Sequence, residues 1–341
     1  MTVWLYARMA LLAAITAVTV CAPSLPAQAQ QLKKVRYAEV VRTIFYLPKY
    51  VALANNYFKE EGLDIDMMTA VGGDKGTALL LAGQVDVVLQ GPETLIFVEN
   101  SESPDKVKMF AAITSTDGFF LMSRQKLAPG AFKWDMLKGK RVMGFRPGST
   151  PALFFEHVMR KHGIDPKKDI DHITNIAIPA RVGAWLANQA DFGIFVEHDP
   201  SRLEATGQGF VLLSIGKDAG PADYTGFLAK GSYIQKNPTI VQAFTNAIYK
   251  GQLWSAKADP LEAAKLVGGY FPGVAPELLA SAIKRYRDLG IYKTDPVTTP
   301  AAYNRLQDIM IEGEVLKPDK KVKYERVIVT TFAEKAKQTI K

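Results

Sequence analysis

From Val35 onward the chain alternates between helical and strand-like spacing of its apolar residues. Val35-Arg36-Tyr37 reads as a strand and leads through Arg42-Thr43-Ile44-Phe45-Tyr46-Leu47 into a helix with Pro48 at its start, where a fixed φ is tolerated. Tyr50, Val51, Ala54, Tyr57 and Phe58 keep a helical period, and Gly62 sits where a helix C-cap belongs. Leu63-Asp64-Ile65-Asp66-Met67-Met68 then alternates as a strand. Gly72-Gly73-Asp74-Lys75-Gly76 opens a helix through Ala82, Val85 to Leu89 is a buried strand ending at Gly91-Pro92-Glu93, and Val107 to Ile113 is another.

The pattern is then written a second time. Lys138 to Gly163 reads as strand, tight loop and helix: Arg146-Pro147-Gly148-Ser149-Thr150-Pro151 form the loop, Ser149 or Thr150 can cap the helix, and Ala152, Phe155, Val158 and Met159 recur at helical spacing. Leu81-Ala82-Gly83-Gln84-Val85-Asp86 reappears as Leu186-Ala187-Asn188-Gln189-Ala190-Asp191, and Phe58 to Asp64 is echoed by Met159 to Asp165, at near-equal offsets. Repetition of this kind predicts an α/β protein of two lobes, each with a largely parallel sheet. Ligands of such sheets bind beyond the carboxyl ends of the strands, so two lobes facing by those ends enclose a cleft lined by corresponding loops. Asp117 to Met122 and Tyr224 to Ala229 are short apolar strands beside glycines, read as two crossovers of a hinge or as edge strands of one lobe. The expected division is 30–117 and 226–341 for the first lobe and 118–225 for the second with its hinge strands. Four proline-started helices, Pro238 to Trp254, Pro260 to Tyr270, Pro276 to Tyr286 and Pro300 to Ile311, are expected to pack on the first lobe; Tyr324 to Ile340 offers one more.

Composition changes the picture mainly at the N-terminus. The 341 residues, 48% hydrophobic, suit two globular domains. Residues 1–29 read instead as a cleaved secretory signal peptide: Arg8, an apolar run from Met9, and the small-x-small site Ala27-Gln28-Ala29. The run is shorter than the roughly 20 residues of a membrane helix, so a periplasmic product is expected. Cleavage removes Cys21, the only cysteine, and with it any disulfide. Val20 precedes it, whereas a lipid-modified cysteine normally follows a small residue. The net charge of +8 is scattered, and its densest cluster, Lys317 to Lys323, lacks interleaved aromatics, so no nucleic-acid partner is expected.

Catalytic chemistry finds no motif. Gly72-Gly73-Asp74-Lys75-Gly76 lacks the Gly-Lys-Ser/Thr ending of a phosphate loop and reads as turn chemistry. His157, His162, His172 and His198 show no His-x-x-x-His pair, and no Ser-His-Asp spacing occurs. No catalytic residue, metal or cofactor is therefore assigned.

Tyr46-Leu47-Pro48-Lys49-Tyr50-Val51-Ala52, Tyr57 to Asp64, Leu81 to Asp86, Leu137 to Val142 and Gly163-Ile164-Asp165-Pro166 together resemble a known family. It comprises the periplasmic substrate-binding proteins of the nitrate, sulfonate and taurine ABC importers, with the related thiamine-precursor-binding group. The resemblance covers nearly all of the mature chain. It implies the type II periplasmic-binding-protein fold, two lobes joined by two crossover strands, and a monomer that hands its ligand to an inner-membrane permease driven by a cytoplasmic ATPase. One departure is Glu197-His198-Asp199-Pro200, where the family usually has Glu-Pro. One member of the wider family is a fungal enzyme of pyrimidine biosynthesis with a cysteine-rich motif, which the mature chain lacks.

The loops at the expected cleft carry the candidate ligand contacts. Arg42, Arg146 and Arg181, the last following Pro179, offer guanidinium forks that suit a carboxylate or sulfonate. Gly148, Ser149 and Thr150 present backbone donors at a helix start. Glu93, Glu197 and His198 follow the two repeated strands, where a carboxylate either stabilises a helix terminus or accepts hydrogen bonds from a ligand amine or ring nitrogen. Phe45, Tyr46, Phe119, Phe120 and Tyr224 can supply flat walls, and Thr43, Gly91, Pro92 and Thr116 lie in the same loops. The expected ligand is a small organic anion or heteroaromatic: a sulfonate, an aromatic carboxylate or a pyrimidine. The alternatives are an enzyme of pyrimidine or thiamine-precursor metabolism and a ligand-sensing subunit for a receptor.

Overall fold

Ten strands form two five-stranded sheets of the same topology in a computed structural model that describes residues 31–341. The signal-peptide reading lies outside the described residues. The first sheet holds β1 (Lys33–Glu39), β2 (Leu63–Thr69), β3 (Val87–Gln90), β4 (Val107–Thr114) and, from much later in the chain, β10 (Thr225–Lys230), in the order β2-β1-β3-β10-β4. The second holds β5 (Phe119–Ser123), β6 (Arg141–Met143), β7 (Asp171–Ile173), β8 (Phe192–Val196) and β9 (Phe210–Ser214), in the order β7-β6-β8-β5-β9. In each, three strands pair in parallel and the inserted strand, β10 or β5, runs antiparallel to both neighbours. The apolar segments expected as crossovers or edge strands thus become interior strands, one per lobe. The links themselves are the short stretches before them, with Ala222 N–H donating to Ser115 O at 3.0 Å to tie one link to the other.

The repeated sequence motif has a physical cause. Asp86 accepts Arg36 N–H (2.9 Å) and binds the same residue's guanidinium through Nε (3.1 Å) and Nη2 (2.5 Å). Asp191 makes the same three bonds to Arg141, at 3.0, 3.2 and 2.6 Å. Each Asp enters its strand while fastened to the neighbouring parallel strand, at the middle of β1 in one lobe and the start of β6 in the other, which helps set their register. The residue three positions earlier ends a helix in the left-handed region, as Gly83 (φ 70°) in one lobe and Asn188 (φ 59°) in the other.

The C-terminal helices pack on the first lobe, where Pro238–Lys257 and Pro260–Val267 lie against Leu47–Ala54. Two also reach the second lobe: Pro276–Asp288 touches Asp199–Ala205, and Pro300–Glu312 packs on Thr150–Lys161. Tyr286, on the first of these, spans the junction, its hydroxyl donating to Gly118 O and accepting Glu197 N–H, both at 2.8 Å. The expected last helix is two pieces, Tyr324–Val327 and Thr331–Thr339, because Ile328 turns extended and bridges to Met109. Among the described residues no helix is long and apolar enough to cross a membrane.

Candidate functional site: an interlobe cleft

The loops after the parallel strands of both sheets meet around a cleft of about 950 Å³. Val40 to Thr43 follow β1, Val71 to Lys75 follow β2, and Gly91 to Thr94 follow β3; from the second lobe come Phe145 to Pro151 after β6 and Thr174 to Ile178 after β7. Five aromatic side chains form its inner walls. Phe45 packs on Tyr46 and Tyr224 at centroid distances of 5.3 and 5.7 Å, and Phe119 meets Phe145 edge-on at 5.0 Å. Strand alternation separates Phe119 from Phe120: the first lines the cleft, while the second faces the other side and stacks on Tyr286 at 5.8 Å.

The polar centre of the cleft is Glu93. It opens the Glu93–Glu99 helix of the first lobe, is 7% exposed, and accepts a 2.6 Å hydrogen bond from the Thr150 hydroxyl of the second lobe. Burial pushes its carboxyl above the ordinary range, against the pull of Thr150 and of nearby Arg146. Gly91 makes this approach possible, since a Cβ there would stand 1.9 Å from Thr150 Oγ1 and 2.1 Å from Glu93 Oε2. Thr150 therefore crosses the cleft instead of capping its helix. Ser149, at the N-cap position, gives no side-chain cap either, because its hydroxyl donates to Arg146 O.

The three arginines are otherwise engaged. Arg42 does not line the cleft and lies 3.6 Å from the buried carboxylate of Glu39. Arg146 does line it, yet its guanidinium turns to Asp74 of the opposite lobe at 3.4 Å. Arg181 is 3% exposed and donates to Gly144 O, Met143 O and Ile194 O at 2.6, 3.3 and 2.8 Å. It fastens the carboxyl end of β6 to the middle of β8, and its guanidinium lies 3.8 Å from the Phe145 ring centroid, so it supports a wall of the cleft from behind.

Of the residues expected at the site, Thr43, Phe45, Tyr46, Gly91, Glu93, Arg146, Gly148, Ser149, Thr150 and Tyr224 line the cleft. Arg42, Pro92, Thr116, Pro179, Arg181, Glu197 and His198 are not among its lining residues. Thr116 sits in the hinge, donating to Gly216 O and Gly220 O at 3.1 and 2.8 Å. Glu197 is drawn to the back of the lobe by Arg285 (2.7 Å) and Ser201 (2.9 Å); only its carbonyl reaches the cleft loops, accepting from Thr43 at 2.6 Å. His198 packs edge-on against Phe271, centroids 5.9 Å apart. Pro92 starts the Glu93 helix, and Pro179 is exposed beside the lining Ile178.

Sequence reasoning missed Val71, Asp74, Lys75, Phe97, Phe145, Val315 and the segment Thr174 to Ile178, all of which line the cleft. The repeat held the signal for two of these groups: Val71 to Lys75 and Thr174 to Ile178 are the loops after corresponding strands, β2 and β7. Among the described residues no group of three or more His, Cys, Asp or Glu side chains is placed to hold a metal ion.

The comparisons agree with this architecture. A model of the NMT1/THI5-like family matches residues 45–263. The chain is 38% identical over 308 residues to YtlA of Bacillus subtilis (strain 168), named for a binding role, covering 90% of this chain and 91% of that one. A protein of Bordetella bronchiseptica RB50 superposes with a TM-score of 0.73 at 25% identity, over 89% of this chain and 97% of the other. The alkanesulfonate-binding protein SsuA of Xanthomonas axonopodis pv. citri has a TM-score of 0.71 at 15% identity (87% and 98% covered). The nitrate-binding protein NrtA of Synechocystis PCC 6803 has 0.72 at 15% (92% and 90%), so both share the fold. With the family model spanning the hinge and parts of both lobes, and the B. subtilis relative matching along nearly its whole length, this chain belongs to the NMT1/THI5-like family.

Proposed function

We propose that this protein is an exported, monomeric solute-binding protein of an ABC importer. It captures a flat heteroaromatic compound bearing N–H donors between its lobes and releases it unchanged to a permease. The observation that carries the reading is Glu93, a buried carboxylate at the centre of aromatic walls, held by a residue of the opposite lobe. A carboxylate accepts hydrogen bonds and donates none, so the complementary ligand offers an amine or ring N–H, and its plane lies against the aromatic faces.

This chemistry favours a pyrimidine-type ligand over the sulfonate and carboxylate alternatives. An anionic head group would need a cation at the buried centre of the cleft, whereas Arg42, Arg146 and Arg181 each already have acceptors within the chain and Lys75, the remaining cation of the lining, is exposed. It would also meet Glu93 at close range, a repulsion that strengthens where water is excluded. Enzymatic conversion has less support: among the described residues the Thr150–Glu93 hydroxyl–carboxylate pair has no histidine beside it in the cleft lining and no metal-holding cluster, and the B. subtilis relative is named for a binding role.

A thermal-shift screen tests the reading, because a ligand of the folded state raises the melting temperature by mass action. Aminopyrimidines and aminopurines are expected to raise it, and aliphatic sulfonates and nitrate to leave it unchanged. Stabilisation by sulfonates alone would overturn the ligand class.

A further inference from the structure

The mouth of the cleft carries exposed apolar side chains beside its polar ones. Val71 and Phe97 are among the few large hydrophobic side chains the described chain leaves exposed, each at 41%, and both line the cleft. Val315 and Pro147 continue the same rim, and the Phe97 ring and Val315 reach across toward Gly148 of the second lobe, within 4.0 Å of where a Cβ there would stand. Val71 is held at φ 58°, a left-handed conformation that a β-branched residue rarely adopts. Strain of this kind persists where surrounding structure imposes it, and it gathers at ligand clamps.

The volume points the same way. A cleft of about 950 Å³ lies near the top of the roughly 300–1,000 Å³ range of pockets that enclose drug-sized ligands, several times what one heteroaromatic ring fills. Of the charged groups near the mouth, Arg146 and Asp74 are turned to each other, and the exposed Lys75 stands in the same loop as Val71.

Resting on the cleft reading above, we infer that the ligand is amphipathic. Its hydrogen-bonding ring lies at Glu93, and an apolar arm, aryl or alkyl, extends outward over Val71, Phe97 and Val315. The occupant of the exposed rim is this arm of the cleft's own ligand, because rim and inner walls bound one continuous cavity. The arm itself covers Val71 and Phe97, which stay exposed although the lobes already pair across the cleft, and it stabilises the complex in proportion to the apolar area removed from water.

Calorimetry with matched probes tests this, using diaminopyrimidine and its benzyl derivative, and adenine and benzyladenine. The benzyl member of a pair is expected to bind about tenfold more tightly or better, the scale of burying one aromatic ring. Phe97→Ala is expected to remove most of that gain, read as the ratio of the two affinities within each pair. Val71→Gly should do the same without lowering the melting temperature, since glycine accepts the left-handed φ; it guards against loss of fold as an explanation. Equal affinities within each pair, or a gain that survives both substitutions, overturn the apolar arm and leave the Glu93 reading standing. Binding of no member of either pair overturns both.

Discussion

Asp117 lies in the first crossover with no solvent exposure, one carboxylate oxygen accepting Phe119 N–H at 2.6 Å and the other without a partner. Burial pushes its carboxyl up to about 7, against the opposing pull of that N–H and of Tyr224. A folded state that holds this proton more tightly than the unfolded chain loses stability as pH rises from the ordinary carboxylate range, near 3.8, to about 7. Asp117→Asn keeps the acceptor for Phe119 and removes the charge. Its unfolding free energy is expected to exceed the wild type's by about 1–3 kcal/mol at slightly alkaline pH, the gap closing in acid. Urea melts across the pH range check it, and an unchanged difference at every pH would refute the assignment. None of this was legible in the sequence, where Asp117 was one residue of a hinge candidate. The arginines failed for a related reason. Asp74 and Glu39, which engage Arg146 and Arg42, sit on other loops, and the carbonyls that hold Arg181 belong to every residue type, so no side-chain pattern announces them.

The elements were more legible because their causes are local. Both left-handed helix ends, Gly83 and Asn188, and both strand-entry aspartates, Asp86 and Asp191, appear in the repeated sextet that predicted two lobes. What the sextet did not show is its partner on the neighbouring strand, Arg36 within β1 or Arg141 at the start of β6. Asp86→Ala and Asp191→Ala each remove a bidentate pair and an acceptor for a backbone N–H. Each is expected to cost about 1–3 kcal/mol, discounted because the guanidinium ends are partly exposed. The loss should be larger for Asp86, which is 13% exposed against 34% for Asp191. Denaturant midpoints of the two variants decide this. A negligible effect of both would show that strand register is set by packing alone. The β5 and β10 strands were the least legible elements, since an interior antiparallel strand and an edge strand share one apolar signature; only the crossing of the chain between lobes distinguishes them.

At the scale of the molecule, closure joins residues that neither lobe could use alone. Thr150 and Glu93, Thr43 and the Glu197 carbonyl, and Arg146 and Asp74 all pair across the cleft, while Tyr286 fastens the opposite side to Gly118 and Glu197. The doubled fold was readable from the repeat, and the cleft from the rule that parallel strands present their carboxyl ends. The chemistry inside was readable only in part, because it depends on which loop side chains face inward. Calorimetric titration of the wild type and of Glu93→Gln with diaminopyrimidine, followed by recovery of the probe, tests that chemistry most directly. The account predicts one probe bound per chain, returned unchanged, weaker at acid pH where Glu93 takes up its proton, and weaker by about 1.5–3 kcal/mol in the variant, the worth of hydrogen bonds to a charged group. Equal affinity of the two proteins, or a probe consumed during the titration, would contradict it.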